Sequence, residues 1–163
     1  MYHKVLVPYD MSDPAKNALV AALDLVKDVP DAQVTVLNVV DWHDYNAETF
    51  KIASRMSGVL GDSLDMDAIA GVGEEAAKQA TERVSADIVE VLDAKGSTLE
   101  ETNIFNIAVV NGSPHDSITS YADEGDYDCI VMGHRGLGMV RGMLGSVCYS
   151  VLHKTNVPVL IVK

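Results

Sequence analysis

Two hydrophobic rhythms alternate along the chain. Lys4-Val5-Leu6-Val7-Pro8-Tyr9 is a short, almost wholly apolar run, and Gln33 to Val40 is a second of the same kind, rich in Val and Leu. Runs without polar alternation predict strands covered on both faces. Between them Ala15, Ala18, Leu19, Ala22, Leu23 and Val26 recur at spacings of three and four, the signature of one buried helix face. Ser12-Asp13-Pro14 predicts where that helix begins, with Ser12 or Asp13 as N-cap and Pro14 in the first turn. The same alternation continues downstream. Ile104 to Val110 predicts a third strand, Ser113-Pro114 opens a helix, and Asp128 to Met132 predicts a fourth strand. A helix over Ser146 to Lys154 then leads to a fifth strand, Val157 to Val162. From about Met66 to Ala94 a long helix is expected, with Ala77, Ala80, Val84, Ile88 and Val91 as its buried stripe, interruptions at Gly71 and Gly73, and Gly96 as its stop. Residues 42–64 keep no period and read as an irregular excursion with one helical turn around Ala47 to Met56.

Five strands separated by helices predict an α/β fold: one domain over residues 1–163, a doubly wound parallel sheet with helices on both faces. Right-handed crossovers restrict the topology to a few arrangements. In such sheets a ligand sits beyond the carboxyl ends of the strands, where the strand order reverses. The segments to inspect are therefore Tyr9-Asp10, Val40-Asp41, Asn111-Gly112 and Gly133 to Ser146.

Composition narrows the partners. The 163 residues are 48% hydrophobic, enough for one core and too apolar for a disordered chain. The longest apolar runs are strand-sized and broken by Thr35 and Asn38, which argues against a membrane span. The amino terminus enters a strand with no signal-peptide-like apolar region, so a cytoplasmic location is expected. Cys129 and Cys148 form no CxxC and read as buried thiols. With 24 acidic against 12 basic residues the net charge is −12, which disfavours nucleic acid and anionic membranes. Yet two of the four arginines, Arg135 and Arg141, fall beside His134 in one glycine-rich stretch, and a local cationic spot on an acidic chain suggests a small anionic ligand.

That stretch, Gly133 to Val147, follows an apolar strand and runs into a helix. Its five glycines from Gly133 to Gly145 exceed what capping and turns require, and they let the backbone approach a ligand closely. Ser146 and the first-turn amides of the following helix would meet an anion at the positive end of the helix dipole. Other signatures fail. The Gly-Lys-Ser/Thr of a Walker loop is absent, Arg141 occupies the last glycine position of a GxGxxG, and Gly71-Val72-Gly73 has no preceding strand and carries Glu74 and Glu75. Asp10 supports either a ligand contact or the start of the next helix. Ser113, His115 and Asp116 lie too close in sequence to build a relay and read as a capping-box-like signal.

Gly-x-x-Gly, a spacer, then Gly145-Ser146-Val147 and the terminal Pro158-Val159-Leu160-Ile161-Val162 resemble the ATP-binding branch of the universal stress protein family. Lys4 to Ser12 resembles that family's first strand and Asp-x-Ser turn, Asn38-Val39-Val40-Asp41 the end of its second strand, and Val110 to Pro114 its Val-x-Gly-x-Pro. The resemblance spans essentially the whole chain. It departs in two places: the spacer is one residue short, and Cys148 stands where many relatives carry Ser or Thr.

The resemblance implies strand order 3-2-1-4-5, a homodimer paired through the C-terminal strand, and ATP, alone or with Mg2+, at the switch between strands one and four. Carried over by position, Pro8 and Asp10 would flank adenine and ribose, and Val39 or Val40 would meet the adenine edge through the main chain. Met132, Gly133 and Gly136 would line ribose and phosphates, and Gly145, Ser146 and Val147 would hold the phosphate tail; from the loop's own residues, Arg135 and Arg141 would add charge-assisted bonds. No catalytic residue is identified. The expected role is a nucleotide-dependent regulatory module of the stress response with at most slow ATP hydrolysis. The rivals are an ATP-consuming enzyme of the same superfamily, whose SGGxDS or HIGH signatures are absent, and a stress protein that dimerises without ATP.

Overall fold

The computed structural model describes residues 2–40, 66–98, 102, 105–136 and 144–163. The excursion over residues 42–64, with its helical turn, and Arg141 lie outside them. Strands β1 (Lys4–Pro8), β2 (Gln33–Val40), β3 (Phe105–Asn111), β4 (Cys129–Gly133) and β5 (Val159–Val162) form one parallel sheet in the order β3-β2-β1-β4-β5. Four helices are described: α1 (Asp13–Val26), α2 (Met66–Ala94), α3 (Pro114–Glu124) and α4 (Ser146–Lys154).

The unbroken apolar strands follow from burial on both faces. In β1, Val5 and Val7 point into a core with α1 and α2, where Leu19, Val26, Val84 and Ile88 join Val34 and Val36 of β2. Leu6 points the other way, into a core with α3 and α4, where Ile118, Ala122, Cys148 and Val151 meet Leu37, Ile130 and Met132. Each Leu, Ile or Val so enclosed contributes about 1.5–3 kcal/mol of transfer free energy.

All six residues of the expected α1 face are buried. Ser12 is the N-cap, its Oγ accepting from the Ala15 N–H at 3.3 Å. Helix α2 passes through Gly71 and Gly73 without a break, contrary to the sequence reading. Its stop is as expected: Gly96 has φ +70°, and the bonds from Gly96 N–H to the Asp93 carbonyl and from Ser97 N–H to the Leu92 carbonyl close the helix end. The buried line on α2 is Ala76, Val84, Ile88 and Leu92, with Ala77, Ala80 and Val91 only half-buried. The expected set mixed spacings of three and four to run straight along the helix, whereas the observed line keeps a spacing of four and so winds slowly around a helix of 3.6 residues per turn.

Candidate functional site

Between β1 and β4 the chain reverses its direction of travel across the sheet: β2 and β3 lie on one side, β5 on the other. The helices after β1 and β4 therefore leave on opposite faces, and a crevice opens outside the strand ends. A cleft of about 290 Å³ occupies this place. Pro8 and Asp10 from the end of β1, Val39 from β2 and Met132 and Gly133 from β4 line it. So do Arg135 and Gly136 of the following loop and Gly145, Ser146 and Val147 at the start of α4. Of the sequence-derived set, Val40 is the one that this cleft does not include.

Strand parity explains the exception. In a parallel sheet alternate residues of a central strand turn their N–H and C=O groups toward alternate neighbours. The Leu37 carbonyl accepts from the Tyr9 N–H on the β1 side, and the Val40 carbonyl accepts from the Gly112 N–H on the β3 side. Val39 therefore directs its main chain toward β1, two residues past the last pairing of β1 with β2 at Leu37. There it meets the cleft.

The cleft has two unlike halves. Leu37 and Val39 of β2, Pro114 and Ile118 of α3, Met132 of β4 and Val147 of α4 supply an apolar slot. On the β4 side the chain is shaped by close approaches. A Cβ on Gly133 would lie 2.7 Å from the carbonyl carbon and Cβ of Pro14, so only glycine lets β4 end against the start of α1. A Cβ on Gly136 would strike the Asp10 carboxylate, and one on Gly145 would lie 3.1 Å from Arg135 Cα. The Gly145 N–H donates to the His134 carbonyl at 2.9 Å, drawing the loop shut at its base.

Helix α4 starts at Gly145 with φ −64° and ψ 148°, no side-chain cap and no acidic residue in its first turn. Its leading amides are thus left for solvent or a ligand, at the positive end of the dipole. Arg135, half-buried beside them, has no ion-pair partner among the described residues. An anion would answer both. Asp10 closes the opposite wall; its Oδ1 accepts from the Ser12 N–H at 3.1 Å, so it supports the approach to α1 while its carboxylate faces Gly136.

Behind Asp10 runs a network that sequence reasoning missed. Tyr9 lines the cleft, and its buried hydroxyl donates to Asp87 Oδ2 of α2 at 2.5 Å, while Lys16 Nζ holds Asp87 Oδ1 at 2.6 Å. Burial, and then the Asp87 hydrogen bond, raise the Tyr9 pKa far above the ordinary tyrosine value, so the ring stays neutral. Asn38 Nδ2 donates to the Tyr9 carbonyl at 2.8 Å, which fixes the chain as it leaves β1. Cys148, also unforeseen as lining, is a buried thiol whose pKa burial pushes up; it acts as apolar wall. Both cysteines are free and buried, as expected.

Two polar clusters are structural. His134 is tied to β5: its N–H donates to the Val162 carbonyl at 2.8 Å, and its Nδ1 lies 3.2 Å from the same oxygen. Ser113, the N-cap of α3, makes no side-chain cap bond, so the capping-box reading fails. Its Oγ lies instead 3.2 Å from His115 Nδ1, and His115 Nε2 lies 3.4 Å from Asp116, whose carboxylate Lys154 holds at 2.6 Å. This order is the reverse of a serine relay, in which the hydroxyl bonds Nε2 and the carboxylate Nδ1. Among the described residues no group of three or more His, Cys, Asp or Glu is placed to hold a metal ion, and no helix is long and apolar enough to cross a membrane.

The universal stress protein family profile matches residues 1–163. The chain is 30% identical to universal stress protein YxiE of Bacillus subtilis, covering all of both chains. It is 28% identical to universal stress protein MJ0577 of Methanocaldococcus jannaschii, covering 100% of this chain and 96% of that one. The solved structure of MJ0577 superposes with a TM-score of 0.69 over the same shares. A universal stress protein of Archaeoglobus fulgidus, solved in complex with dAMP, shares the fold at a TM-score of 0.54 and 23% identity, covering 99% of this chain and 98% of that one. Sheet order, whole-chain match and relatives agree: the chain belongs to the universal stress protein family.

Proposed function

We propose that the cleft binds ATP and that the chain works as a nucleotide-dependent regulatory module of the stress response, one nucleotide-binding domain from end to end. The observation that carries this is the uncapped start of α4 beside Arg135, which has no ion pair among the described residues, with an apolar slot in the same cleft. Adenine fits against Leu37, Val39, Ile118, Met132 and Val147, its edge meeting the Val39 main chain, with Pro8 beside it and Asp10 at the ribose. Gly133 and Gly136 leave room for ribose and phosphates, and the phosphate tail meets Gly145, Ser146, the α4 amides and Arg135. The fold holds dAMP in the Archaeoglobus protein. Mg2+ usually rides on phosphate oxygens with one or two protein oxygens, and Asp10 or Ser146 supplies these.

Hydrolysis is slow at most in this reading. Fast phosphoryl transfer needs a group to orient the attacking water, and His134, the histidine at the start of the loop, is committed to Val162. Turnover then lies well below the enzyme median of about 10 per second; phosphate release at saturating ATP and magnesium measures it. The edge strand β5, with Leu160 exposed, is paired antiparallel with a second copy in this reading; sedimentation tests that, and a monomer at micromolar concentration refutes it.

The test of binding is calorimetric titration of nucleotide-stripped protein with ATP, AMP and adenosine. The reading requires ATP to bind, and to bind at least tenfold tighter than adenosine, about 1.4 kcal/mol. Absence of ATP binding would leave the rival, a stress protein that dimerises without nucleotide.

A further inference from the structure

Behind the cleft lies a second hollow of about 260 Å³, between the end of β2, the turn after β1 and the outer part of α2. Met11, Asn38, Val39, Ala80, Arg83 and Val84 line it. Three observations make it more than a packing fault. First, Arg83 has no ion pair or hydrogen bond among the described residues, whereas Lys16, Lys95 and Lys154 each hold an aspartate. Arg83 is exposed, so its guanidinium is open to a ligand, and the other described arginine without an ion pair, Arg135, lines the cleft. Second, among the described residues the remaining wall is mostly hydrocarbon, and the one side-chain amide nitrogen there, Asn38 Nδ2, is already spent on the Tyr9 carbonyl. Third, the two hollows share a wall. Val39 lines both, and Asp10 in the cleft is followed directly by Met11 in the second hollow. Met11 sits at φ 63°, a left-handed conformation uncommon for a side chain of its size.

We propose that this second hollow binds a small organic monocarboxylate, and that its occupancy alters nucleotide affinity through Val39 and the Asp10–Met11 turn. The planar guanidinium of Arg83 matches one carboxylate with two parallel bonds. The apolar body of the ligand then lies against Ala80, Val84 and Met11. A phosphate dianion fits poorly, since most of its oxygens would face methyl groups without donors. Coupling between the two hollows is reciprocal: whatever factor the acid imposes on the nucleotide, the nucleotide imposes on the acid. The binding half of the proposal stands by itself, and the coupling half rests on the nucleotide reading above.

The experiment uses the full, nucleotide-stripped chain and three probes: isovalerate, its neutral amide isovaleramide, and inorganic phosphate. Methyl NMR titration is expected to give an isovalerate Kd of about 1 mM, as suits so small a ligand, with the Ala80 and Val84 methyls moving. The amide and phosphate are expected to bind at least tenfold more weakly. Arg83→Met is expected to lower isovalerate affinity at least tenfold at an unchanged Tm, and Ala80→Leu, which fills the hollow, to abolish binding in a chain still folded by circular dichroism. Equal binding of acid and amide, no saturation by about 20 mM, or wild-type affinity in Arg83→Met overturns the site. Saturating isovalerate is then expected to shift the ATP Kd by about fivefold or more. Saturable isovalerate binding with no shift in ATP affinity overturns the coupling alone. A chain that binds isovalerate and no ATP overturns the nucleotide reading and leaves the site standing.

Discussion

Two helices begin at the same end of the sheet, both beside the cleft, and they begin differently. Helix α1 is closed by its own chain: Ser12 Oγ accepts from the Ala15 N–H, Asp10 accepts from the Ser12 N–H, and Asp13 sits in the first turn. Helix α4 is left open: its cap is Gly145, no side chain caps it among the described residues, and no acid occupies its first turn. The first arrangement satisfies the helix in the apo protein and leaves little for a ligand. The second withholds that satisfaction, and the withheld donors face a cleft lined by Arg135, which has no ion pair among the described residues. Where a fold stabilises itself and where it waits for a partner can thus be separated by asking which backbone groups it has already met.

The largest effect is expected where the end of β4 meets the start of α1. Gly133→Val drives a side chain into the Pro14 backbone, 2.7 Å away, and is expected to lower stability by on the order of 3 kcal/mol, read as a drop in denaturant midpoint. Next in size is the open start. Gly145→Val crowds Arg135 Cα at 3.1 Å, and is expected to weaken ATP binding at least tenfold, about 1.4 kcal/mol, with the unfolding midpoint nearly unchanged. Unaltered affinity in a folded variant would remove the α4 start from the site. The closed start should behave in the opposite sense: Ser12→Ala is expected to cost about 1 kcal/mol of stability while ATP affinity stays as in the wild type. An affinity loss there would erase the distinction between the two helices.

The smallest effect concerns the far end of α4, which is closed by charge. Lys154, through its hydrogen bond, holds the Asp116 carboxyl below its ordinary value of 3.8. A carboxyl with a depressed folded pKa stabilises the fold above its unfolded pKa, and that contribution is lost as pH falls below 3.8 through the folded value. Both side chains are exposed, so Lys154→Met is expected to flatten the acid limb of the stability profile only slightly. A large change would mean that this end of the helix depends on the pair.

How legible these features were in the sequence follows the range of the interactions behind them. The α1 start needs Ser12, Asp13 and Pro14 within one turn, and the six-residue apolar face needs only a period; both are local, and both appear in the structure as read. The failures are of longer range or finer phase. Val39 and Val40 are indistinguishable by composition, and only pairing with β1 and β3 decides which main chain meets the cleft. The Tyr9–Asp87–Lys16 network joins β1, α2 and α1 across 78 positions, with no motif to announce it. On α2 the buried line keeps a spacing of four to Leu92 and winds around the helix, where a straight 3-4 pattern pointed to Val91. Ser113 carried the letters of a capping box, but His115 and Lys154 drew its partners away.

The contrast between an open and a closed helix start is tested most directly by amide NMR of the stripped protein saturated in turn with adenosine and with ATP. Subtracting the adenosine shifts isolates what the phosphates touch. The amides of Ser146, Val147 and Cys148 at the start of α4 are expected to show the largest differences, and Ala15 and Lys16 at the start of α1 to show small ones. Equal differences at both helix starts, or none at α4, would contradict the claim that the phosphates complete the helix that the chain leaves uncapped.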